Sequence, residues 1–370
     1  MPKITIREID KTKGDGNPFQ DYTVLIPVKV EGDTVTKLIL SGDEYEYTGE
    51  TETPAARMVS KLLAVGLPVL VHETADLAAD TLKEKFSDRG LWDIRFITLG
   101  DFEKTEGLNK AAVECAYKRG DAVALLSDLE DVAGELSGIT LDPAHDSGTA
   151  GKYAACFANT FTFKDKDDEN EYPGWFAYLL CFGTHINNYS PWYAMAGSIR
   201  GRCSALAIES VTPTYGDAKI QELQPRQASR DDEGDFIDAY AKNVIANIRP
   251  YGDIIWGNRT LEPIKEDGLK ASHFLNIRQL CCTLKKIIYR ACRKFTFEPN
   301  SDVLWVRFCN EITPTLEKMK SDQGIRGYKL IQQTDAKRAE LKAIIRIIPI
   351  EAVEDFDITV ELADSIEIVE

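Results

Sequence analysis

The spacing of apolar and polar positions changes character several times along the chain. Residues 3–9, Lys-Ile-Thr-Ile-Arg-Glu-Ile, open with a two-residue alternation that predicts a strand. The break at Lys13-Gly14-Asp15-Gly16-Asn17-Pro18 ends it. Tyr22 to Val30 and Val35 to Leu40 read as strands joined through Glu31-Gly32-Asp33. From Thr51 the period lengthens. Pro54 to Val65 reads as a helix with Thr51 or Thr53 at its cap and Gly66 at its end. The pattern then predicts a strand at 67–71, a helix at 74–86, a strand at 93–98, a helix at 108–119 and a strand at 121–126. Helices alternating with strands predict an α/β layer built on a parallel or mixed sheet.

Further on, the apolar run Trp175 to Phe182 predicts a buried strand, and Trp192 to Arg200 a helix. Residues 212–234, with Pro213, Gly216, Pro225 and Gly234, read as loop, and 236–247 as helix. His273 to Phe295 predicts a long two-sided helix. Ile277, Leu280, Cys281, Leu284, Ile287, Ile288, Ala291, Cys292 and Phe295 fall on one side. Arg278, Lys285, Lys286, Arg290, Arg293 and Lys294 fall on the other, without one acid. A turn at Glu298-Pro299-Asn300 leads into a helix from Ser301 or Asp302, where Ser301 suits the N-cap and Pro314 a kink. Gly324 and Gly327 end that helix, and Ala343 to Ile350 is a strand. The last segment alternates again: Phe356, Ile358, Val360 and Leu362 against Asp357, Thr359 and Glu361.

Composition narrows the class. The 370 residues suffice for two or three domains with a sizeable core. A net charge of −16 argues against nucleic acid as the main partner, because neutralising phosphates requires a basic surface. The first residues lack the apolar run of a signal peptide. No stretch approaches the roughly 18 apolar residues of a membrane span, so direct membrane insertion is not expected. The eight cysteines are scattered without Cys-x-x-Cys spacing and read as reduced, mostly buried thiols made in a cytoplasm.

Catalytic and cofactor motifs are absent from the sequence: no phosphate-binding glycine loop, no nucleophile elbow, no zinc-protease helix. No cofactor or metal is therefore expected. Of the four histidines, His72 stands with Glu73 after the strand expected to end at Val71, a position where α/β proteins often place active-site residues. With Ser127-Asp128 at another strand end it carries the alternative reading, an α/β enzyme or small-molecule-binding protein. Asp142, His145 and Asp146 could offer metal ligands but read more simply as a polar loop. Cys281-Cys282 reads as core packing.

Two features point instead to protein partners. A solvated helix normally mixes signs to gain i,i+4 pairs. The six cations of 273–295, in an acidic chain, predict an acidic surface opposite them, either another part of this protein or a different one. The terminal strands, set off by their flanking sequence, could tie into their own sheet or add to a neighbour's sheet edge.

Several segments together resemble contractile tail sheath proteins. Trp256-Gly257-Asn258-Arg259-Thr260-Leu261, preceded by Ile248-Arg249-Pro250, resembles that family's W-G-A-R-T-L. Phe274 to Leu280 is similar to its N-V-R-R-L segment, and Phe297-Glu298-Pro299-Asn300 with Trp305 to its F-E-P-N…W stretch. Gly324-Ile325-Arg326-Gly327 and Ala194 to Arg200 are similar to its G-x-x-G turn and A-G-x-x-A-R element. The resemblance covers residues 194–350. Asn258 stands for the family's Ala, Gln279 for its second Arg, and its W-K-A-P-A-N stretch is missing.

The resemblance implies a multi-domain α/β and α+β architecture. It comprises an N-terminal arm at 1–20, an outer α/β domain at 21–240, a tube-facing α+β domain at 241–354 and a C-terminal arm at 355–370. It implies a structural subunit, not an enzyme. That subunit polymerises around a tail tube and contracts to drive the tube through an envelope, in a virion or phage-tail-like particle made in a bacterial cytoplasm. The implied partners are copies of itself, the tube protein, and baseplate and tail-terminator proteins. Strand exchange then falls to Ile4, Ile6, Phe356, Ile358, Val360 and Leu362. The basic face Arg278, Lys285, Lys286, Arg290, Arg293 and Lys294 becomes the expected tube contact.

Overall fold

A computed structural model describes residues 22–139, 149–165, 168–333, 340–352 and 354. Its strands are β1 (Val24–Lys29), β2 (Val35–Ile39), β3 (Val69–Thr74), β4 (Phe96–Ile97), β5 (Val123–Leu126), β6 (Ala154–Cys156), β7 (Thr160–Phe163), β8 (Tyr172–Pro173), β9 (Ile208–Thr212), β10 (Ser229–Arg230), β11 (Phe236–Ile237), β12 (Val244–Ile248), β13 (Gly252–Trp256), β14 (Ile325–Gln332) and β15 (Ala343–Pro349). The helices are α1 (Pro54–Ala64), α2 (Leu108–Arg119), α3 (Val132–Leu136), α4 (Gly174–His185), α5 (Gly197–Arg200), α6 (Asp217–Leu223), α7 (Leu275–Phe295) and α8 (Asp302–Ser321).

Alternation along the strands sorts residues to the two faces of one sheet. Its order is β2-β3-β1-β4-β5-β6. β3, β1, β4, β5 and β6 run parallel, and β2 is antiparallel at one edge. Val24, Ile26, Val28, Val69, Val71, Val123 and Leu125 enter one buried cluster with α1 and α4. Leu25, Leu70, Ile97, Ala124 and Leu126 enter a second cluster with α2. Helices thus cover both faces, as parallel sheets require. α1 begins where the sequence places it: the Thr53 side chain accepts from the Ala56 N–H, and Pro54 stands in the first turn.

The far edge of the sheet is closed by a return of the chain. The Asn243 N–H donates to the Cys156 carbonyl, and the Leu261 N–H to the Ala154 carbonyl. Residues 243–261, which include the antiparallel β12–β13 pair, therefore cap β6. A side chain at Gly151 would collide with the Leu261 carbonyl, so this close approach requires glycine. Leu275, Leu280 and Leu284 of α7, together with Phe308, Ile312 and Leu316 of α8, belong to the same buried cluster as Val24. The stretch from 241 onward thus shares its core with the α/β layer. β14 and β15 form a two-stranded antiparallel sheet of their own.

Some elements differ from the sequence expectation. Trp175 to Phe182 is not a strand but the start of α4, buried over Gly174–Gly183. An element buried on all sides shows no period, and a short apolar run fits either geometry. Residues 236–247 are β11 and the start of β12 rather than a helix. The expected helix at 74–86 is reduced to a π-helical turn at Thr81–Lys85, since β3 runs on to Thr74. Only Gly197–Arg200 of the expected helix at 192–200 is helical. The loop at 212–234 contains α6.

Candidate functional site

The most informative region lies where the parallel strands begin. α7 crosses the sheet there. A reciprocal amide pair fixes its start: the Asn258 side chain donates to Asn276 Oδ1 at 2.7 Å, and the Asn276 N–H to Asn258 Oδ1 at 3.1 Å. Asn276 also reaches the Trp192 carbonyl at 2.9 Å. Asn243 braces the same stretch, accepting from the Arg259 N–H at 2.8 Å and donating to the Arg259 carbonyl at 2.9 Å. Asn276 lies in the segment similar to the N-V-R-R-L motif, whereas Asn243 carried no signal in the sequence, because a buried amide is recognised only by its partners.

The basic side of α7 is divided. Arg278 and Lys286 are buried, at 7% and 4% exposure. Arg278 lies over the Tyr153 ring, 4.4 Å from its centroid, and Lys285 donates to the Tyr153 hydroxyl at 2.6 Å. Lys286 pairs with Asp93, which also takes Arg290 at 2.9 Å. From the sheet side, Arg95 donates to the Gln279 carbonyl at 3.1 Å and to Thr283 at 2.8 Å. Most of the expected tube-contacting face therefore meets an acid and aromatics of this chain. Arg278 and Lys286, two of the expected tube contacts, are enclosed within the chain. Arg290, Arg293 and Lys294 are exposed; Lys294 pairs with Glu311 at 2.7 Å.

The local charges shape one another. Burial pushes the Asp93 carboxyl upward, but Lys286 and Arg290 outweigh it and hold it below the usual range. Burial, joined by Arg95, lowers Lys286 despite Asp93.

The strand ends named by the alternative reading are occupied by internal partners. His72 is not at a strand end but inside β3, buried, with Nδ1 2.8 Å from Thr36 Oγ1 and its ring 5.2 Å from Phe86. Burial, then Lys85, lowers it to about 4. Glu73 takes Lys37 and the Tyr45 hydroxyl, both at 2.9 Å. Ser127 donates to Glu103, which also accepts from the Trp175 indole. Burial pushes Glu103 up to about 7, against those two donors. Asp128 pairs with Lys242 at 2.6 Å. Cys282 is buried and Cys281 half-buried. Asp142, His145, Asp146, Ile4, Ile6, Phe356, Ile358, Val360 and Leu362 lie outside the described residues.

Beyond α8, β14 pairs along its length with β15, from Ile325↔Pro349 to Gln332↔Ala343. Among the described residues neither strand has a second neighbour. Ile344 and Ile348 are exposed.

No protein-family model and no curated protein matches the chain. Solved structures do. A chain of the anti-feeding prophage baseplate superposes with a TM-score of 0.65 at 14% identity, over 98% of this chain and 99% of that one. The sheath complex of an extracellular contractile injection system, captured contracted, gives 0.64 at 15% identity, over 99% and 98%. The fold is that of contractile sheath proteins. The sheath tail protein of Desulfitobacterium hafniense shares it at 0.56 and 10% identity, over 94% of this chain and 100% of that one. At these identities the fold is shared while most side chains differ.

Proposed function

We propose that the chain is a structural subunit of a contractile sheath, polymerising helically around a tube and shortening to drive it through a cell envelope. The observation that carries this is end-to-end agreement with sheath structures, including one in a contracted assembly. Two features of the chain support it. Among the described residues the β14–β15 pair has no further strand on either edge, and an extended segment of a neighbour could add there, backbone hydrogen bonds giving affinity and alternate side chains giving register. The alternating terminal segments around Ile4, Ile6, Phe356, Ile358, Val360 and Leu362 have the pattern such a strand needs. The end of α7 keeps Arg290, Arg293 and Lys294 exposed alongside the internal pairs of Arg290 and Lys294, and could present them to an acidic tube. Such screened contacts break readily, which suits a surface that contraction must release. In this reading the particle is a phage tail or a phage-tail-like injection device assembled in a bacterial cytoplasm, ending on baseplate and terminator proteins.

Negative-stain electron microscopy of the concentrated chain, alone and with its tube protein, tests the proposal. Hollow helical tubes are expected. A chain that stays monomeric under both conditions, and whose melting temperature rises with a small-molecule ligand, would overturn it in favour of a binding protein.

A further inference from the structure

The last stretch of the chain is charged with one sign. From Glu351 to Glu370 it carries eight acids and no base. Its described residues are Glu351, Ala352 and Glu354. The Ile350 N–H donates to the Gly324 carbonyl at 3.1 Å, which ties the end of β15 to the end of α8. Four residues on, Arg259 Nη2 donates to Glu354 Oε2. The Arg259 guanidinium is 1% exposed and lies over the Phe274 ring, 4.9 Å from its centroid. Asn243 braces its backbone on both sides, at the N–H and at the carbonyl. Glu354 is the acid paired with Arg259 among the described residues, and Arg259 Nε and Nη1 have no hydrogen-bond partner there. The exposed Arg226 acts on the same carboxylate as a second cation.

From this contact we infer that Arg259 is the register pin of the C-terminal segment: by holding Glu354 it fixes the position from which the alternating strand at 356–362 is presented to a neighbouring sheet edge. The inference rests on the sheath reading for the strand's destination and adds to it the residue that sets the strand's register. Side chains alternate with a period of two, so a strand that slips by two residues keeps both its faces. Phe356, Ile358, Val360 and Leu362 therefore tolerate such slips, and a run of like charges attracts any cationic surface without marking one position. A guanidinium that is buried, braced at its backbone and stacked on a ring takes one carboxylate in one place. A desolvated ion pair adds little to stability on balance, and its best-attested use is to specify register.

Hydrogen exchange on the unpolymerised full-length chain tests the pin, and sedimentation with electron microscopy tests its consequence. Glu354→Gln, which keeps the size and removes the charge, is expected to speed exchange of the amides at 350–354 by about tenfold while the amides of β1, β3 and β5 and the melting temperature stay unchanged. Arg259→Met, which keeps Phe274 covered, is expected to give the same local acceleration; Arg259→Lys, which keeps the charge without the planar fork, takes its place if the methionine variant does not fold. Glu354→Gln added to either Arg259 variant is expected to change exchange by less than about twofold more, because both substitutions remove one contact. The polymerised fraction of Glu354→Gln, with tube protein, is expected to fall by about tenfold relative to the unaltered chain. Unchanged exchange in Glu354→Gln, or full additivity with the Arg259 variant, would show that Arg259 does not hold the segment. Accelerated exchange with undiminished polymer would overturn the register role while the sheath reading stands. An unaltered chain that never polymerises, even with its tube, overturns the sheath reading and the register role together.

Discussion

At the scale of single residues, two buried titratable groups pull stability in opposite directions. Glu103 is pushed up from 4.5 to about 7 by burial, so the folded chain binds its proton more tightly than the unfolded chain. Its contribution to stability therefore falls as pH rises through that interval and is level above it. His72 is lowered from 6.5 to about 4, so its contribution is complete above the unfolded value and is lost as pH falls toward the folded one. The two partly cancel between the unfolded pKa of Glu103 and that of His72. Glu103→Gln, which mimics the protonated acid, is expected to remove the falling limb and leave a melting temperature that climbs with pH and then stays flat. An unchanged profile in that variant would show that Glu103 is not the group responsible. The Lys286–Asp93 pair should be asymmetric. Asp93→Ala leaves a buried ammonium without its main counter-charge and is expected to cost about 2 kcal/mol, less than a fully buried pair because Asp93 is half exposed. Lys286→Met is expected to stay within about 1 kcal/mol of the unaltered chain in denaturant unfolding.

At the scale of elements, the return of residues 243–261 onto β6 decides how the large sheet ends. An uncovered β6 would present a second open strand edge beside β2, and open edges invite uncontrolled pairing. The cap depends on the absence of a side chain at position 151. Gly151→Ala is expected to destabilise by about 3 kcal/mol, because the carbonyl it would strike belongs to the backbone of the cap and cannot rotate away. Limited proteolysis should also show faster cleavage within 243–261 in that variant; equal protection would mean that the cap is held elsewhere. α7 illustrates a related point. Its sign-pure face is stable because Asp93 and the ring of Tyr153 come to it from the neighbouring layer rather than from its own next turn.

At the scale of the whole molecule, the proposed sheath role requires an assembly that is reversible in one place and permanent in another. Added strands hold through many backbone hydrogen bonds, whereas exposed ion pairs contribute little each and weaken with salt. Reversal of Arg293 and Lys294 to Glu is accordingly expected to reduce decoration of tubes at low salt while leaving tube-free sheath polymers intact. Loss of both assemblies would place these residues in a subunit–subunit contact instead. Counting particles with and without tube protein by electron microscopy distinguishes the two.

α1 and the amphipathic α7 were legible because each buries one side and shows its period, and β3 and β5 as short apolar runs buried on both faces; the helix expected at 74–86 was not. The sheath-like segments from 194 to 350 were legible as ordered motifs, and the fold agrees with them. α4 was not legible: enclosed on every side, it has no polar face to mark a period. Nor was the fate of the basic face. A run of cations dictates that acids or π-faces must lie opposite, and the sequence by itself determined that much. Which acids those are depends on bringing residue 93 against residue 286 and residue 153 against residue 278. Only the packing of α7 across the starting ends of the strands decides that, because charge is local in sequence while neutralisation is local in space.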